Sequence, residues 1–181
     1  MTKYKMAFIF FPFSFLLLLT MDSTTFTTDK EDAKYMQLAI EQANLSVPVE
    51  GAYCVGAVLV KDNTVLSTGF SRELPGNTHA EECALAKVVA PNKDNTRELF
   101  KGATMYTTME PCSTRLSGNR PCTDRLIEAD IKRVVLGIKE PPHLVVCTGI
   151  AQLQSHGIQV QVVPDVAEQC LAPNAHIKSK N

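Results

Sequence analysis

The sequence predicts an α/β protein, a three-layer α/β/α sandwich built on one five-stranded mixed sheet. Three observations lead there. An amphipathic helical pattern is followed by two short β-branched runs joined by a polar turn, and the second half then alternates strand, helix, strand, helix, strand. The 181 residues, 45% apolar and 20% charged, have the balance of a single ordinary globular core. Strands separated by helices call for right-handed crossovers, which put helices on both faces of a largely parallel sheet.

Each element has its own signal. From Asp29 to Leu45 the residues Ala33, Met36, Leu38, Ala39, Ile40 and Ala43 recur at helical spacing, and Ser46, Val47 and Pro48 end the pattern. Ala52 to Val60 is an apolar, β-branched run; after the turn Lys61, Asp62, Asn63 comes Thr64 to Thr68, so the pair reads as an antiparallel hairpin. Pro75 and Gly76 break the chain, and His79 to Ala90 has the period of a helix that Pro91 stops. Beyond it lie a strand at Ala103 to Thr108, a helix at Cys122 to Ala129 and a strand at Arg133 to Gly137. A helix at Thr148 to Ser155 and a strand at Ile158 to Val163 complete the set.

These elements occupy residues 29–171. Residues 1–28 read as a leader: Lys3 and Lys5 precede the 13-residue apolar run Ala7 to Leu19, too short to span a bilayer comfortably. It has the charge and apolar regions of a secretory signal but no clear cleavage site, and the favoured alternative is a start at Met21 and a cytoplasmic protein. The polar stretch 172–181 reads as a flexible tail.

Net charge −1 gives no basic footprint for a nucleic acid, which favours a small-molecule substrate. Of six cysteines, Cys54, Cys83, Cys147 and Cys170 sit where a cysteine serves as a small hydrophobe. Cys112 and Cys122 each follow a proline at a turn or helix start, with nine residues between them, and helix N-termini favour the thiolate that binds metal. With His79 they make three ligands for Zn2+, leaving the fourth tetrahedral position to water, as in catalytic rather than structural sites. Glu81, two residues after His79, is then placed to move protons between that water, a ring nitrogen and a leaving amine. Taken alone, Thr78 and Glu81 also have the spacing of a capping box, with Glu81 no more than a helix cap. Asn77 is either a turn residue or a substrate contact, and Arg115 and Arg120 are either solvated loop cations or a phosphate grip. Cys83 shares a helix face with His79 and is expected to point into the core.

His-Ala-Glu at 79–81, followed by Pro-Cys at 111–112 and 121–122, resembles the H-x-E and P-C…C signature of the cytidine deaminase superfamily, although nine residues rather than two separate the cysteines. LPGNTHAE, TTMEPCSTRLSGNRPC and, more loosely, KEPPHLVVCTGIAQLQSHGIQV resemble the pyrimidine deaminases of riboflavin biosynthesis, most closely the fungal type. That resemblance implies the cytidine deaminase-like fold and zinc-dependent hydrolysis of 2,5-diamino-6-ribitylamino-4(3H)-pyrimidinone 5'-phosphate (DRAP). It also implies a homodimer or larger assembly, a separate reductase and no nucleic-acid partner. The competing readings are an adenosine or cytidine deaminase acting on nucleotides or transfer RNA, and a non-catalytic protein that zinc merely stabilises.

Overall fold

The computed structural model describes residues 25–92, 95–139 and 147–177. Along the chain run β1 (Thr25–Phe26), α1 (Lys30–Ala43), β2 (Gly56–Lys61), β3 (Thr64–Phe70), α2 (Ala80–Val89) and α3 (Thr96–Phe100). They are followed by β4 (Thr104–Met109), α4 (Cys122–Glu128), β5 (Arg133–Ile138), α5 (Gly149–Ser155), β6 (Gln159–Val162) and α6 (Ala167–Leu171). The strands form one mixed sheet in the order β1-β6-β5-β4-β2-β3. The hairpin β2–β3 is antiparallel and β2 pairs antiparallel with β4, whereas β4, β5, β6 and β1 run parallel. Asp62 and Asn63 both take positive φ (49° and 59°), as a two-residue hairpin turn matched to strand twist requires.

Alternate residues of the same strands feed two separate cores. Ala57, Leu59, Met105, Val134, Leu136 and Val160 pack with Ala84, Leu85, Leu126 and Leu153 of α2, α4 and α5. Val58, Val60, Tyr106 and Val135 pack with Tyr35, Met36, Ala39 and Ile40 of α1 and with Cys170 of α6. The period-two register of a strand produces this division, because successive side chains leave opposite faces.

The sheet has six strands where the sequence predicts five. The added strand, β1, is two residues long and offers no alternation to read. Its place against β6 is fixed by the residue after it: Thr27 N donates to Val162 O (3.0 Å) and its hydroxyl to buried Asp32. The expected tail also differs. Ala172–Asn174 form a 3-10 turn, and the buried Asn174 side chain accepts from Cys54 N (2.6 Å) and donates to Cys54 O (3.1 Å) and Cys170 O (3.2 Å). An isolated polar residue looks solvated in a sequence; here it closes the backbone hydrogen bonds of a segment 120 positions away. Residues 1–24 of the leader, with its two alternative starts, lie outside the described residues. Among the described residues no helix is long and apolar enough to cross a membrane.

Gly69 determines how the site helix sits on the sheet. A Cβ there would lie 2.2 Å from Ala80 O and 2.7 Å from Ala84 N, so only glycine lets α2 lie this close to β3. Ser67 Oγ donating to Ala84 O (2.6 Å) fixes the same contact. The first turn of α2 thereby comes to rest beside the end of β4.

Candidate zinc centre and active site

His79 is the N-cap of α2, with extended backbone (φ −91°, ψ 163°). Glu82, not Glu81, is the residue whose carboxylate accepts from the His79 N–H (3.4 Å). The capping motif is therefore one residue later than Thr78 and Glu81 suggest, and Glu81 is left for another role. It is 3% exposed, with Oε1 3.3 Å from Thr107 Oγ1 and Oε2 3.5 Å from Cys122 Sγ.

Cys112 lies three residues past the end of β4, and Cys122 opens α4. The two segments are tied together: Cys122 N donates to Cys112 Sγ (3.4 Å) and Thr123 N to Cys112 O (3.2 Å). The Nδ1 atom of His79 stands 3.4 Å from Cys112 Sγ and 3.5 Å from Cys122 Sγ, and the three ligand atoms lie within 4.8 Å of one another. Zinc–sulfur and zinc–nitrogen bonds of about 2.3 and 2.0–2.1 Å at a tetrahedral angle put S and N about 3.5 Å apart. The donor set therefore fits zinc in both chemistry and spacing. Cys83 is fully buried, with its thiol 3.1 Å from Thr78 Oγ1, and is not one of the cluster; none of the six cysteines is in a disulfide.

The electrostatics follow from four ionisable groups crowded out of water. A hydrogen bond from the Cys122 thiol, seconded by His79 and opposed by burial, pulls Cys112 down to about 4. Cys122 is pushed well above its ordinary value by that same hydrogen bond, by burial and by the Glu81 charge. Burial lowers the affinity of His79 for its proton, yet the hydrogen bond and charge of Cys112 outweigh it and the net direction is upward. Glu81 is raised by burial and then by the Cys112 charge.

A cavity of about 240 Å³ ends on this cluster, with His79, Glu81 and Cys112 in its wall. Of the three substrate-contact candidates, Asn77 and Arg115 line it and Arg120 does not. Arg120 turns to α4, pairing with Glu128 and donating to Asp124 O (3.2 Å), because those acceptors lie within a helical turn or two of it. Arg115 is no solvated loop cation: it is buried, held by Glu82 (2.9 Å) and by Asn77 O (2.5 Å). Asn77 itself has positive φ (56°), so it serves the turn and the wall at once. Sequence reasoning missed Tyr53, Arg72 and Glu110, which also line the cavity. Arg72 follows β3 with φ 65° and holds Tyr53 O (3.1 Å) and Val47 O (2.7 Å). Only the tertiary fold brings it to the site.

A pocket lined by an imidazole, a thiol and a buried carboxyl, with a second thiol beside the imidazole and the end of an interior strand next to it, defines the class as a zinc-site protein of catalytic type. Residues 29–138 match the family model of the cytidine and deoxycytidylate deaminase zinc-binding region, and the chain belongs to that family. It is similar to the diaminohydroxyphosphoribosylamino-pyrimidine deaminase of Schizosaccharomyces pombe, 45% identical over 76% of this chain and 33% of that protein. The riboflavin biosynthesis protein RibD of Aquifex aeolicus is 37% identical over 72% of this chain and 34% of that one. The chain thus spans about a third of the length of these curated relatives. The crystal structure of Aspergillus oryzae Rib2 deaminase in complex with DARIPP superposes with TM-score 0.71 at 35% identity, covering 79% of this chain and 89% of that one.

Proposed function

We propose that the chain catalyses zinc-dependent hydrolytic deamination of DRAP in riboflavin biosynthesis. The observation that carries this reading is a cavity lined by His79, Cys112 and the buried Glu81, with Cys122 Sγ 3.5 Å from His79 Nδ1 completing the three-ligand set. The names of the relatives narrow the substrate class to pyrimidines, and the complex of Rib2 deaminase with DARIPP supports the same reading.

Zinc, when held by His79, Cys112 and Cys122, supplies the Lewis acidity that makes water nucleophilic near neutral pH. Glu81 accepts the proton released as water oxygen adds to the C–NH2 carbon and hands it to the ring nitrogen. It then carries a proton to the amine, which leaves as ammonia while a C=O forms in its place. Thr107 fixes the carboxyl for these transfers. Arg72 and Arg115 place two cations in the cavity wall, which suits a phosphorylated substrate, and Asn77 offers its amide to the base or sugar.

The same reading includes a cytoplasmic protein, since thiolate ligands persist most simply in a reducing compartment. It also includes a homodimer or larger assembly and the three-layer arrangement, the latter supported by the two cores fed from alternate strand residues. Ammonia release measured on a panel of DRAP, its unreduced ribosyl analogue, cytidine and transfer RNA tests the substrate. Release from DRAP at the highest kcat/KM is the expected result; preferred release from cytidine or transfer RNA would overturn it.

A further inference from the structure

Each of the three zinc ligands is followed, three residues later, by a charged side chain: Glu82 after His79, Arg115 after Cys112 and Arg125 after Cys122. The structure brings those three charges together as well. Glu82 Oε2 accepts from Arg115 Nη1 (2.9 Å) and Glu82 Oε1 from Arg125 Nη2 (2.7 Å), so one carboxylate spans two arginines. The side chains are mostly withdrawn from solvent, Arg115 2%, Glu82 17% and Arg125 29% exposed. Glu82 also receives the His79 N–H, and Arg115 reaches on to Asn77 O.

We infer that Glu82 is the positioning residue of the metal centre: a charge triad, Glu82–Arg115–Arg125, holds the three ligand-bearing segments in register beneath the site. The nine-residue interval between the cysteines is the reason such a clamp is needed. A two-residue interval fixes both thiols within one turn of chain, whereas here Cys112 and Cys122 are on separate segments joined by the loop 113–121. That loop carries Gly118 with φ 76° and has few apolar residues with which to pack. Backbone contacts set the distance between the cysteine segments, but among the ion pairs of the described residues only Glu82 ties both of them to the helix that begins at His79. A half-buried pair bridged by one carboxylate is also direction-specific in a way that a surface ion pair is not. The inference takes the zinc ligand set as given and does not depend on which pyrimidine is deaminated.

The test is metal affinity of the full-length protein, measured by chelator competition, with the visible absorption of the Co2+-substituted protein as the geometric readout. Glu82→Gln keeps an acceptor for the His79 N–H but removes the charge shared by the arginines. Loss of partners that orient metal ligands lowers affinity by about 10- to 100-fold. Glu82→Gln is accordingly expected to weaken Zn2+ binding at least tenfold and to alter the intensity of the cobalt bands. Arg125→Gln, which cuts one arm at the more exposed end, should give a smaller loss of the same kind and serves if Glu82→Gln fails to fold. Lys87→Gln breaks the pair between Lys87, on the same helix, and Glu73 of the preceding turn (2.5 Å), and should leave both readouts unchanged. Zinc affinity within twofold of wild type and an unaltered cobalt spectrum in the folded Glu82 or Arg125 variant would overturn the inference. Equal losses in Lys87→Gln would overturn it too, by reducing the effect to general destabilisation of α2.

Discussion

Replacing Glu81 by Gln separates proton transfer from metal binding. The carboxyl is enclosed by Thr107 Oγ1 at 3.3 Å and Cys122 Sγ at 3.5 Å, and an amide has nearly its shape, so packing and the Thr107 contact survive. Its Oε2 side is not within the ligand set, which consists of His79 Nδ1 and the two sulfurs. What the substitution removes is a group that accepts a proton and returns it. A positioned acid–base side chain contributes about 10²- to 10⁴-fold, and at about 1.4 kcal/mol per tenfold this is roughly 3–5 kcal/mol of barrier. Because Glu81 serves the attacking water, the ring nitrogen and the leaving amine in turn, the upper half of that range applies, a loss of about 10³-fold or more in kcat. The assay is ammonia release from DRAP, run beside zinc content by elemental mass spectrometry on the same sample. Wild-type zinc content with turnover lowered by that amount is the expected result. A folded, zinc-loaded variant within tenfold of wild type would refute the shuttle, and a variant stripped of zinc would make Glu81 part of the metal site instead.

Two further outcomes concern buried groups away from the reacting atoms. Cys83→Ala should retain full zinc while Cys112→Ala loses it, because Cys83 faces Thr78 in the core and Cys112 faces His79 Nδ1; elemental analysis of both variants decides it. Asp32, buried in the first turn of α1, receives Arg133 Nη1 (2.7 Å) and Nη2 (2.5 Å) and the Tyr106 hydroxyl (2.8 Å). Burial works against its charge, but these donors together with Thr27 hold its carboxyl below the ordinary value. A carboxyl lowered in the folded state adds stability above its unfolded pKa of about 3.9, and that stability disappears as pH falls through the folded value. Asp32→Asn should cost about 3 kcal/mol near pH 7, where it strands a largely buried arginine. The gap from wild type in denaturant unfolding should stay constant down to about pH 5 and narrow only below about pH 4. A gap that is absent at pH 7 or widens in acid would contradict this.

Helices and strands with a long repeating pattern were legible in the chain: α1, the hairpin and the alternation from β4 to β6 lie within a few residues of where hydrophobic period places them. The elements that escaped are short. Strand β1 and helices α3 and α6 have two to five residues, less than a period needs to declare itself, and their positions come from partners far along the chain. The same division runs through the site. His79, Cys112 and Cys122 could be read because metal chemistry restricts the residue types and the prolines mark the turns that present them. Asn77 and Arg115, for which a turn residue and a solvated loop cation were the open alternatives, line the cavity. Arg120 does not, because Glu128 and the Asp124 carbonyl are nearer, and no local signal distinguishes two arginines five positions apart. Arg72 and Tyr53 were invisible for the opposite reason: nothing near them in sequence suggests a ligand, and the fold alone brings them to the cavity wall.

X-ray absorption at the zinc edge of the full-length protein tests the central claim most directly. The account predicts one zinc with two sulfurs at about 2.3 Å, one imidazole nitrogen at about 2.0–2.1 Å and one light atom from solvent, an open centre beside Glu81. A third sulfur, or a fourth protein ligand of any kind, would describe a closed structural site and contradict it.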